Sequence, residues 1–450
     1  MTRKLATSLI LCALVYAPLA HGCVTDQTWF ILDGLLAASF TVYMTGRVLQ
    51  RDWPAIPAAP WIPAGLLLLL ALLQTLNPMY VYDPEKQSLM HLHSHLPGLP
   101  STIDQRTSII ALIHWAALAM GFFTLANLSR DRTTRWLLLG TIAAVGAGMA
   151  IAGMVIKIQG ETVIPFTKSQ SGTFFGTYVY HAHAAAFLNL CWPAALALTF
   201  RSHVAEQPLK KAIWINAFLM IFLALFINIS KFGHLAAFPG LALALATMRR
   251  ATPSTATASP FARVLLGSML LGTTAFLLLP LIGQSVGRWD YVIREGFGGR
   301  PMIYSVAISI IKQHPLWGTG VGTFQLIAPY FAVSMQMTMP GRFSHAHQDY
   351  LETAVDSGLV GTLLWVVLLV WNYAKGINHL LRHPEELSLA VAMVALTIVG
   401  LHALVDFPLQ IGSLRLYAAA YFAMLWRKSR PTTRPERIAV SSAKHLATTH

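Results

Sequence analysis

Apolar runs of about a bilayer's thickness recur along nearly the whole of this chain, and no other feature restricts its fold as much. A helix needs about 20 predominantly apolar residues to cross the hydrocarbon core. In lipid every backbone polar group must find its partner within the protein, which leaves helices or closed barrels. Polar breaks separate twelve candidate spans, approximately 5–20, 28–46, 62–76, 107–127, 136–156, 177–200, 212–229, 233–248, 264–283, 359–374, 388–405 and 410–426. Of the 450 residues, 55% are hydrophobic and only 11% charged, with a mean hydropathy of +0.56. Soluble domains carry about a quarter charged residues. The expected fold class is all-α, a polytopic integral membrane protein of about 12 transmembrane helices.

The net charge of +14 is explained by topology. With the N-terminus in the cytoplasm, the inner segments carry 21 of the 32 basic residues and 6 of the 18 acidic ones. That asymmetry follows the positive-inside rule, and it removes the charge as an argument for nucleic acid. Both termini are then cytoplasmic. One transmembrane domain covers 1–426, and 427–450, rich in Arg, Thr and Ser, reads as a disordered basic tail. Three long segments fall on the outer face, 77–106, 157–176 and 284–358. Loops as long as the last are usually functional. The N-terminal run Leu5 to Ala20 reads as a signal peptide or a first span; we favour an uncleaved first helix, because His21 occupies a position before Cys23 where a lipoprotein cleavage site wants a small residue. Cys12, Cys23 and Cys191 have neither metal-like nor redox-like spacing.

The outer segment 284–358 is expected to carry short amphipathic helices. Ile303, Val306, Ala307, Ile310 and Ile311 share a face of a helix over 301–312, with Pro301 at a favourable first position. It is too short to span and is expected to lie along the membrane surface. Its N-terminal N–H groups together with Arg300 form a candidate anion site; the simpler role for Arg300 is an interfacial anchor. The run His314 to Phe324, with Gly318, Gly320 and Gly322, superficially resembles a phosphate loop but lacks the Lys-Ser/Thr pair, so it is expected to be a tight turn. In Ser344 to Gly358, the spacing of His347, Tyr350, Leu351 and Ala354 predicts a helix with His347 and Leu351 on one face. His345 and His347 would then diverge, which weakens joint metal binding although Asp349 is nearby. A neutral imidazole accepts or positions a hydroxyl proton; the simpler reading is an exposed loop histidine.

Further polar groups punctuate the spans. Lys231, with His234 a turn on, sits between two apolar runs, where a cation either snorkels or meets a phosphate at the lipid headgroups. His181 and His183 open the sixth span and Asp406 ends the eleventh, where it would cap the turn before Pro408. Asp33, inside the second span, has no partner that the sequence reveals.

Taken together, these residues resemble the O-antigen ligase and polymerase superfamily of bacterial envelope glycosyltransferases. The matching stretches are Gly299-Arg300, Pro315-Leu316-Trp317-Gly318-Thr319-Gly320-Val321-Gly322-Thr323-Phe324 and Ala346-His347-Gln348-Asp349-Tyr350-Leu351, followed by Ser357-Gly358-Leu359-Val360-Gly361. Ser171 to Phe174, His181 to Ala184 with Phe187-Leu188, and Leu404 to Leu409 extend the resemblance over roughly 170–425.

The resemblance implies a sugar chain on undecaprenyl diphosphate as donor, and lipid A core or a growing glycan as acceptor. It implies the periplasmic side of the bacterial inner membrane, with 284–358 as the periplasmic catalytic loop. His347 would be catalytic, Arg300 and Lys231 would bind the diphosphate, and His181, His183, His345, Tyr350 and Asp406 would be accessory. No metal or other cofactor is implied, because the lipid diphosphate is already an activated leaving group. Cationic side chains would stabilise the charge developing on it. The chain departs from the pattern at Lys231, where an arginine is usual and the bidentate fork is lost, and at Gln348 in place of an asparagine. The competing functions are a transporter or flippase of lipid-linked glycan, which would place polar groups near mid-membrane with repeat symmetry, and a scaffold for envelope assembly.

Overall fold

A computed structural model describes residues 1–54, 58–83, 85–86, 88–167, 170–171, 173–250, 299–337 and 344–426. The expected span at 264–283, the opening of the outer segment and the tail 427–450 lie outside the described residues. The described chain is mostly helical. Its helices are α1 (Thr2–Leu19), α2 (Asp26–Leu49), α3 (Ala58–Leu76), α4 (Gln105–Leu128), α5 (Arg132–Ile158), α6 (His181–Val204), α7 (Pro208–Ile227), α8 (Lys231–Arg250), α9 (Arg300–Gln313), α10 (Phe324–Ser334), α11 (Asp349–Arg382), α12 (Leu387–His402) and α13 (Gly412–Leu425). An antiparallel hairpin, β1 (Tyr80–Asp83) with β2 (Ser88–His91), stands between α3 and α4.

Among the described residues seven helices, α1, α2, α4, α5, α6, α7 and α11, are long and apolar enough to cross a membrane. Each of the other expected spans in the described residues also coincides with a helix, shorter or less apolar. α6 is enclosed on all sides, in contact with α5, α7, α8, α12 and α13. A helix so surrounded needs no polar face, and its sequence has none: Ala182 to Phe200 is buried without interruption. Hydroxyls supply cross-links where the helices meet: Tyr417 donates to the Leu14 carbonyl (2.8 Å), Tyr421 donates to the Leu190 carbonyl (2.6 Å), and Tyr178 bonds the Ser413 hydroxyl (2.8 Å).

Asp33 finds its partner on α4. His114 Nδ1 lies 2.5 Å from Asp33 Oδ2, and the Trp29 ring stacks on the imidazole at 4.5 Å. Two polar groups that would each be costly alone in lipid satisfy one another.

A second core forms outside the main bundle. The apolar face of α9, Ile303, Val306, Ala307 and Ile310, packs against Phe324, Ile327 and Phe331 of α10 and Val355 of α11. The predicted helix is therefore present, but its apolar stripe is spent on protein contacts rather than laid along the membrane surface.

The glycine-rich turn between α9 and α10 does more than reverse the chain. α11 breaks at Gly358, whose φ of +64° and ψ of −172° belong to a region that only glycine enters readily. The turn fills the break. Thr319 and Gly320 donate to the freed carbonyls of Val355 (2.9 Å) and Asp356 (3.0 Å), while Leu359 and Val360 donate to the carbonyls of Pro315 (2.8 Å) and Leu316 (3.2 Å). Gly318 lies so close to Gly358 that a Cβ on it would stand 2.5 Å from the Gly358 nitrogen. Gln74 of α3 adds donors to the Trp317 (2.6 Å) and Asp356 (3.0 Å) carbonyls, and Asp356 Oδ2 accepts from Gly322 N (2.8 Å). The amides of Thr319, Gly320 and Gly322 are thus engaged within the protein, in keeping with the rejection of a phosphate loop.

Candidate active site

Three segments meet at one carboxylate. Asp406 lies in the connection after α12 and is 2% exposed. Its Oδ2 is 3.5 Å from Arg300 Nη2, at the start of α9, and its Oδ1 is 3.6 Å from His347 Nδ1, just before α11. Oδ1 also accepts from the Phe407 N–H at 3.0 Å, so the expected capping role and the ion pairs coexist. Burial pushes this carboxyl up. The nearby His347 imidazole and the positive fields of His183, His402 and Arg300 outweigh it and leave Asp406 below the usual carboxylate range.

Phe407 is the hub of the aromatic side. His345 stacks on its ring at 4.4 Å, while His183 and His347 meet it edge-on at 4.7 and 5.0 Å. Tyr180, the residue before α6, lies parallel to Phe407 at 6.1 Å and contacts His181, His183 and His347 at 4.6, 4.9 and 6.5 Å. The buried helix α6 thus delivers His183 from within the bundle, and Phe407 brings it alongside His345 and His347.

His347 itself is not helical. Its φ is +53°, Gln348 is extended, and α11 starts only at Asp349. The predicted helix through His347 is overturned by Glu352, whose buried carboxylate reaches back to His345 Nδ1 and Ala346 N, both at 2.8 Å. This folds the HAH segment over the helix start, so His347 and Leu351 share no helix face. Tyr304 of α9 donates to the His347 carbonyl at 3.1 Å. Nδ1 faces Asp406, and the side chain, 21% exposed, can be reached by a solute. The 3.6 Å separation exceeds a direct hydrogen bond, as is common before substrate binds.

The remaining candidates are placed differently. Tyr350 uses its hydroxyl on the Gly400 carbonyl at 2.8 Å, and Gln348 donates to the Leu404 carbonyl at 3.1 Å; both tie α11 to the end of α12. Lys231 opens α8, and its neighbour Phe232 meets His402 edge-on at 5.5 Å. His234 bonds the carbonyls of Leu225 (2.9 Å) and Asn228 (2.7 Å), a structural role that closes the turn between α7 and α8. Nothing in the sequence singled out Tyr180, Tyr304, Glu352 or His402 as members of the site. The pair Asp406-Phe407 sits within a stretch that the reading did quote, but aromatic residues in an apolar chain stand out by nothing except position.

Comparison with known families matches residues 215–366 to the family described as O-antigen ligase. The matched stretch begins within α7 and ends within α11, so it includes Lys231, Arg300 and His347 and stops short of Asp406. No curated protein matches the chain.

Proposed function

We propose, from the premise that the chain belongs to the O-antigen ligase and polymerase superfamily, that it transfers a glycan from undecaprenyl diphosphate to a hydroxyl acceptor on the periplasmic face of the bacterial inner membrane. The acceptor is lipid A core or a growing glycan. The observation that carries the reading is the convergence of Arg300 and His347 on the buried Asp406 carboxylate. In this reading twelve spans enclose the site, both termini are cytoplasmic, and 284–358 is the periplasmic catalytic loop.

The acceptor oxygen attacks the anomeric carbon of the donor sugar, and the carbon–oxygen bond to the diphosphate breaks with its electron pair leaving on the phosphate. His347 takes the hydroxyl proton. Asp406 holds the imidazole by Nδ1 and stabilises its protonated form. Arg300, whose side chain is 27% exposed, faces the diphosphate and offsets its growing charge. Lys231 supplies a second cation as a point charge. His181, His183 and His345 line the aromatic side, and Tyr350 steadies the start of α11.

The test is incubation of the purified protein with a synthetic undecaprenyl-diphosphate glycan and candidate acceptors, beside His347→Ala and Arg300→Ala. Wild type should release undecaprenyl diphosphate, and His347→Ala should lose about 10²–10⁴ of the rate, the usual worth of a general base. Equal release by wild type and variants would refute the assignment. Movement of the lipid across the bilayer with its bonds intact would make the protein a transporter.

A further inference from the structure

The segment between α12 and α13 carries Asp406 and Phe407, and a buried carboxylate and a half-buried guanidinium outside the proposed chemistry grip it at Leu409. From one side Asp349 Oδ2 accepts the Leu409 N–H at 2.8 Å. The Asp349 backbone N–H in turn donates to the carbonyls of Ala403 (3.1 Å) and Asp406 (3.2 Å). From the other side Arg415 donates through Nε to the Leu409 carbonyl and through Nη2 to the Gln410 side-chain carbonyl. Both peptide faces of one residue are therefore held, three positions from the carboxylate that meets Arg300 and His347.

The grip is anchored in the bundle. The Arg415 guanidinium lies over the Trp29 ring, 5.6 Å from its centre. Trp29 also stacks on His114, which is bonded to Asp33. A flat cation with separate donors suits these partners, because it can lie over a ring while Nε and Nη2 reach different oxygens; an ammonium cannot do all three at once.

We infer that Asp349 and Arg415 are positioning residues that clamp Leu409 and thereby set Asp406 against His347. The inference rests on the transferase reading for its kinetic test, and a second measurement is independent of it. Arg415→Met should lower kcat for glycan transfer at least about tenfold, since small misplacements of a catalytic group are costly, with KM for the lipid-linked donor within about twofold because Arg300 and Lys231 are untouched. Arg415→Lys should recover only part of kcat. In an Asp406→Asn background, Arg415→Met should change kcat by less than about twofold, because residues acting as a unit are not additive. A full multiplicative loss in that background would overturn the clamp, since a merely structural role predicts it. Hydrogen exchange of 403–411 in the full-length protein should rise in Arg415→Met while α5 is unchanged; unchanged exchange in 403–411 would overturn the clamp whatever the activity. If wild type transfers nothing, the transferase reading fails and the exchange measurement still decides. Arg415→Gln, which retains an amide donor, serves if Arg415→Met does not fold.

Discussion

Replacing Gly358 by alanine tests whether the turn at Pro315–Gly320 splices the break in α11. At φ +64° and ψ −172° a non-glycine residue costs on the order of 1–3 kcal/mol in backbone strain alone. The added Cβ would also run into the Leu316 carbonyl oxygen and stand 2.5 Å from the Gly318 nitrogen, so the turn must retreat. Four backbone bonds cross the splice, each worth about 1 kcal/mol net and more if a buried group is left unpaired. Losing two of them with the strain gives a destabilisation of roughly 3–5 kcal/mol. The measurement is thermal unfolding in detergent, beside hydrogen exchange at Thr319, Gly320, Leu359 and Val360. Exchange at those four amides should rise together. A variant within about 0.5 kcal/mol of wild type, the range of an ordinary surface substitution, would show that the splice does not hold the helix together.

Other outcomes follow from the same geometry. Asp33→Ala leaves His114 alone in the bundle and should cost about 3–5 kcal/mol, whereas replacing both partners by apolar residues of similar size should cost much less; chemical denaturation of the two variants in detergent separates these. Because Asp406 is held below its unfolded value of about 3.9, its pairing with Arg300 stabilises the fold fully above that pH and the contribution is lost as pH falls through the lower folded value. Asp406→Asn should therefore be less stable than wild type at neutral pH, with the gap closing in strong acid, and a gap that widens in acid would contradict the pairing. Burial first, and then the Asp33 charge, push the Cys23 thiol up to about 12, so a maleimide at pH 7 should leave it unlabelled in the folded protein and label it on unfolding.

What could be read in advance divides along physical lines. Apolar length is a local property, so the helices of the bundle were legible one by one, including the amphipathic pattern that became α9. Arg300 and His347 stood out by their place in the long segment between expected spans and in the stretches that carry the family resemblance. Pairings were not. Asp33 had no visible partner because His114 lies on another helix and carries no mark of facing it. Asp406 read as a turn cap, and its bond to the Phe407 amide is there, but its approach to Arg300 and His347 depends on three segments meeting. The helix predicted through His347 failed because periodicity cannot register a carboxylate four residues into α11 bonding backwards over the helix start. The glycine turn was seen as a turn, while its use as a patch for a distant helix required knowing that α11 breaks.

That patch also fixes a height. Beyond Gly358 the long helix is apolar enough to take its position from lipid, whereas the nine residues before it take theirs from α9, α10 and the end of α12. The glycine junction is the joint where one frame of reference hands over to the other. In the proposed transfer, a diphosphate anchored by its lipid tail would arrive at a depth dictated by the bilayer, and the reach of Arg300 and His347 toward it would depend on where that joint sits along the helix.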